Sequence, residues 1–69
     1  MNNKIYICGP SFRIAKNFVD KIYKTLVDVV SVERIEDVTR LTIKFNDTEI
    51  SAIPEAHIRG YKGTIIKIA

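Results

Sequence analysis

Any chemistry in this 69-residue sequence would have to come from a short roll of side chains. A thiol–imidazole pair would need Cys8 and His57, the single residue of each kind. A thiol near a helix start is acidified and becomes a better nucleophile. It also wants an adjacent base, and nothing in the spacing places His57 beside it. The expectation for Cys8 is a small buried hydrophobe. One cysteine and one histidine do not complete a tetrahedral zinc site within a chain, so no metal is expected. The carboxylates Glu33, Glu36, Asp37, Asp47 and Glu49 fall in or beside predicted turns and on solvent-facing strand positions. They read as solvation and edge protection rather than acid–base machinery.

Two glycine-containing turns carry the remaining candidates. Gly9-Pro10-Ser11 leads from a predicted strand into a predicted helix, where outward N–H groups and the helix dipole can hold an anion. The spacings that hold nucleotides, G-x-x-x-x-G-K-[ST] and G-x-G-x-x-G, are absent, and Pro10 removes a donor. The turn reads as a plain connection, and no cofactor is expected. The stretch from Ala56 to Gly63 combines Arg59, Tyr61 and Lys62 with Gly60 and Gly63. Such a loop can bring backbone near a phosphate while the cations supply charge and the tyrosine stacks on a base. A basic helix face of Arg13, Lys16 and Lys24 would assist it. The other reading is that the glycines turn the chain and the cations keep the tip soluble.

The elements that must position these residues follow from periodicity. Lys4 to Cys8 is short, rich in β-branched and aromatic residues, and stops at Gly9-Pro10, which predicts a strand. Ser11 is a helix N-cap candidate; Ile14 stands where a capping box needs Glu or Gln. From Phe12 to Val27, Ala15, Phe18, Val19, Ile22 and Leu26 recur at helical spacing, with Ile14 and Tyr23 widening the stripe. Arg13, Lys16, Asp20 and Lys24 lie opposite, with Lys16–Asp20 and Asp20–Lys24 as i,i+4 pairs. Val29 to Arg34 is a second predicted strand, and 35–38 is either turn or its continuation. Arg40 to Ile53 predicts a hairpin with Leu41, Ile43, Phe45, Ile50 and Ala52 on one face. A two-residue turn at Asn46-Asp47 pairs Ile43 with Ile50, whereas a four-residue turn pairs Phe45 with Ile50. Thr64 to Ile68 is a last strand whose adjacent isoleucines suit cover on both sides.

The fold class is therefore α/β bordering on α+β. A single small domain, 1–69, runs β-α-β-β-β-β, with one amphipathic helix on a mixed sheet of four or five strands. One helix does not cover both faces of such a sheet, so part of the second face is wet or used for contact.

Composition narrows the class. The chain is 46% hydrophobic and 28% charged, which is globular rather than disordered. A lone cysteine makes no internal disulfide, so a cross-linked secreted scaffold is excluded. No apolar run approaches the ~20 residues of a bilayer span, and the start is too short for a signal-peptide core. A reduced cytoplasmic setting, without membrane, is expected. The net charge of +3 suits ordinary solubility and does not demand nucleic acid.

Two separated segments together resemble a known family. Ile5-Tyr6-Ile7-Cys8-Gly9-Pro10-Ser11-Phe12-Arg13, with Ala15, Lys16 and Phe18, is similar to the strand and helix that follow the ATP-binding loop in phage terminase large subunits. Leu41 to Phe45, Ile50 to Pro54 and Ile58-Arg59-Gly60-Tyr61, followed by Thr64-Ile65-Ile66, resemble the run into the Walker B strand of those ATPases. The resemblance spans residues 4–68. It implies an α/β fold and, by position, only the Arg-Gly-Tyr loop. The family's phosphate loop is missing, and where its acidic pair should end the last strand this chain has Lys67-Ile68-Ala69. A lysine there repels magnesium. A shorter likeness, over about ten residues, is to nucleoside deoxyribosyltransferase-type proteins, whose first strand also runs into Gly-Pro.

The expected function is accordingly a non-catalytic, phage- or mobile-element-type interaction protein. It would bind a protein partner, or a second copy as a homodimer, through exposed sheet surface. The alternative is a nucleic-acid binder using Arg59, Tyr61 and Lys62 with Arg13, Lys16 and Lys24. An enzyme built on Cys8 and His57 is not expected.

Overall fold

The computed structural model describes residues 3–68. Strand β1 (Asn3–Cys8) is followed by helix α1 (Phe12–Leu26), β2 (Glu33–Asp37), β3 (Arg40–Phe45) and β4 (Thr48–Ala52). A 3-10 helix (Glu55–Gly60) then leads to β5 (Thr64–Lys67). The five strands form one mixed sheet in the order β2-β3-β4-β1-β5. β1 runs parallel to both β4 and β5, while β2, β3 and β4 form an antiparallel meander. This is the small α+β domain that the sequence pattern indicates.

The helix starts where its capping chemistry sets it. Ser11 is extended and its hydroxyl accepts from the Ile14 amide at 3.3 Å. Ala15 and Val19 have no exposed surface, and they pack on Ile7, Leu41, Ile43, Ile50 and Ala52 from the sheet. The expected stripe is wider than the buried one: Ile14 and Phe18 each remain 41% exposed. Two residues lie together in the β3–β4 turn, with Asn46 at φ 52°, so Ile43 faces Ile50. Asparagine tolerates that left-handed conformation better than most side chains.

Side-chain alternation makes a second, smaller core on the far side of the sheet. Ile5 and Ile7 of β1 point to the helix, whereas Tyr6 and Cys8 pack with Ile53 on the other face. The crossover from β4 to β5 returns over that face, and its Ile58 and Tyr61 join Ile65 as the lid of this cluster. Beyond the lid the face is mostly polar, with Ile35 of β2 as its exposed apolar residue. Thr42 and Ser51 share a buried hydrogen bond of 2.9 Å, and the register lines up Glu33, Lys44, Glu49 and Lys4 with alternating sign across four strands.

Three sequence expectations are corrected. The second strand is Glu33–Asp37, and Val29 to Val32 form the approach to it, with Val29 73% exposed. β2 is an edge strand; pairing with β3 and ionic contacts to α1 hold it, so β-branched propensity does not decide its place. The Ala56 to Gly63 stretch, expected as a loop, begins inside a 3-10 helix that runs Glu55–Gly60. The last strand lies at an edge with Ile66 exposed, rather than being covered on both sides.

Candidate functional site

The sequence candidates do not converge on one place. Arg59 and Lys62 are exposed on the crossover, on the far face of the sheet. Tyr61 lies between them but turns inward. Its ring centroid is 4.6 Å from that of Tyr6, tilted by 42°, and the residue is half-buried. The expected stacking tip is thus a core contact, and the two flanking cations stand without a free aromatic between them. Arg13, Lys16 and Lys24 are on α1, across the sheet. Arg13 is exposed, Lys16 is ion-paired with Glu36, and Lys24 lies 3.1 Å from Asp20. The expected Lys16–Asp20 pair gives way to Lys16–Glu36, because β2 docks beside that flank of the helix.

Cys8 has no exposed surface and sits against Tyr6 and Ile53, whereas His57 is exposed on the 3-10 helix. Among the described residues no group of three or more His, Cys, Asp or Glu side chains is arranged to hold a metal ion. No described helix is long and apolar enough to cross a membrane. At the β3–β4 turn a polar depression of about 230 Å³ is lined by Lys4, Lys44, Asn46, Asp47, Thr48 and Glu49. Lys44 and Glu49 approach to 3.7 Å there, so its central charges already have partners.

The feature that sequence reasoning missed is a difference between the two edges of the sheet. Helix α1 sits over β1, β3 and β4. On the β2 side the remaining gap is filled by charge. Arg34 donates to Asp20 at 2.6 Å and to Glu36 at 3.2 Å, Lys24 and Lys16 complete the chain, and the Arg34 guanidinium lies 4.9 Å over the Tyr23 ring. Hydrogen bonds from Arg34, then Lys24, hold the Asp20 carboxyl below its ordinary value. Those from Lys16, then Arg34, do the same for Glu36.

On the β5 side no described residue fills the gap. Two adjoining depressions of about 290 and 350 Å³ flank the helix and share Phe18 and Lys21. Ile22 and Leu26 line one, Ile14 and Ile68 the other. Ile66 stands on the helix side of β5, paired in register with Ile7, and is 42% exposed. The Ile68 amide bonds inward to the Cys8 carbonyl at 2.8 Å. Backbone groups alternate in direction along a strand, so those of Ile65 and Lys67 face the open edge. The result is an unpaired strand beside an apolar trough. One sequence signal was available: Ile14 and Phe18 lie at the margin of the helical stripe, on the side away from Tyr23.

No family model, curated protein or solved structure matches the chain.

Proposed function

We propose that this chain is a non-catalytic interaction protein that works by holding another protein chain, a partner or a second copy, against its open β5 edge. The observation that carries this is the contrast between the edges. β2 bears Glu33, Arg34, Glu36 and Asp37 around one exposed apolar residue, Ile35, and is tied to the helix by ions. Charges of that kind discourage pairing with other chains. β5 bears one charge, Lys67, beside exposed Ile66, Phe18 and Ile14. The exposed apolar side chains here adjoin one another rather than standing singly, as contact surfaces do. A domain of this size also gains stability from any partner that binds only its folded form. The phage or mobile-element setting rests on the sequence resemblance of residues 4–68.

The nucleic-acid reading has less support, since its cations are divided between the two sides of the sheet and Lys16 and Lys24 are already ion-paired. A photo-cross-linking amino acid at position 66 tests the main reading, with position 33 on the opposite edge as control. Cross-links to protein from 66 and not from 33, in lysate or with purified chain, are expected. Equal cross-linking from both positions, or none from 66, overturns the reading.

A further inference from the structure

We infer that β2 is a latched edge, a strand that rising ionic strength releases from the sheet while α1 and the other four strands stay folded. Three observations carry it. The first is what β2 does not bury. Ile7 of β1, Ile43 of β3, Ala52 of β4 and Ile65 of β5 all belong to a core cluster, whereas no residue of β2 belongs to either cluster. Its apolar residue, Ile35, stays 45% exposed on the far face. Segments with few buried apolar contacts and exposed backbone hydrogen bonds open locally at low cost.

The second observation is the arrangement of charge. Arg34 and Glu36 are the β2 side chains on the helix side, and both reach across to α1, Arg34 to Asp20 at 2.6 Å and Glu36 to Lys16. They also meet each other at 3.2 Å, and Lys24 backs Asp20 at 3.1 Å. All five side chains are more than a quarter exposed, so dissolved ions reach them. Attraction between such groups weakens as salt shortens the screening length, to about 3 Å at 1 M.

The third is tethering. β2 ends the sheet, so no other strand has to move when it leaves. Val32, just before it, packs against the main core, and Arg40 begins β3. The released piece is therefore Glu33 to Thr39, hinged at both ends. Its turn residues supply the slack, and Val38 among them is 90% exposed, so little apolar contact is lost there.

Strand pairing supplies an internal control for the test. With two-residue turns at 38–39 and 46–47, the amides of Arg40, Thr42 and Lys44 face β2, and those of Leu41, Ile43 and Phe45 face β4. Amide hydrogen exchange by NMR on the full chain reads both sets, at about 20 mM and about 1 M sodium chloride.

Relative to the β4-facing set, the β2-facing amides should exchange about fivefold or more faster at high salt, the gain expected from losing three exposed ion pairs. Arg34→Met keeps an unbranched stem over Tyr23 without the charge. It should speed the same amides at low salt and remove most of their salt response. Asp20→Asn, which alters the helix end of the contact, should act in the same direction, and Lys67→Met on the other edge should not. Equal acceleration of both sets would show the whole sheet opening and overturn the inference. So would β2-facing amides indifferent to salt and to both latch variants, or an Arg34→Met chain that is unfolded throughout, since release must spare the remaining strands.

Discussion

Arg34 reaches from the edge strand β2 to the helix carboxylate of Asp20, 2.6 Å away, while its guanidinium covers the Tyr23 ring. One side chain thus ties the edge strand to the helix, beside the Lys16–Glu36 pair. The same pair makes the helix asymmetric, sealed toward β2 and bare toward β5.

Stability should fall in acid through this network. Asp20 and Glu36 have folded-state values below their ordinary 3.8 and 4.5. Depressed carboxyls bind fewer protons when folded, so their contribution is complete above the unfolded values and is lost as pH falls through the folded ones. Urea midpoints should hold between pH 7 and 6 and decline below about pH 4.5. Asp20→Asn with Glu36→Gln should flatten that decline; an unchanged slope would exclude these groups as its source.

The Thr42–Ser51 hydrogen bond is buried and crosses β3 to β4. Thr42→Val should cost about 1–3 kcal/mol, because the Ser51 hydroxyl then loses its partner in a dry place. Adding Ser51→Ala should recover much of that loss. A denaturation double-mutant cycle reads the coupling, and additive losses would show that the pair acts independently.

Gly63 and Gly60 should respond unequally to alanine. At Gly63, φ is +152° and an added Cβ would stand 2.6 Å from the Lys4 carbonyl oxygen, so backbone must move. Gly63→Ala should destabilise by more than about 1 kcal/mol. Gly60 faces open space, and Gly60→Ala should stay within about 0.5 kcal/mol. Equal thermal shifts would contradict the placement of the crossover.

Tyr61 should behave as a packing residue. Tyr61→Ala should cost about 1–3 kcal/mol by removing the lid over Tyr6 and Cys8. Arg59→Ala with Lys62→Ala should leave the urea midpoint almost unmoved. The reverse pattern would return Tyr61 to the surface and restore the case for nucleic acid.

The parts of the fold legible in the sequence are those governed by local physics. Helix α1 was written in the spacing of Ala15, Val19, Ile22 and Leu26, and its start in Ser11. The hairpin face followed from alternation, whereas the turn needed the structure, because two registers bury the same residues. Glu33–Asp37 was obscured because an edge strand anchored by ion pairs carries no apolar signature. Tyr61 and Ile66 were misplaced for one reason: burial depends on strand order, and no periodicity announces that β1 lies between β4 and β5. The bare trough was equally hidden, since it arises from where the helix sits over the sheet.

That strand order also governs how the molecule can be made. Ile5 is matched to Thr64, a contact between strands far apart in sequence. Such long-range pairing carries a large loop-closure cost and forms slowly. Until β5 docks, β1 presents an unmated flank, and the folding molecule is most prone to mispairing in that interval.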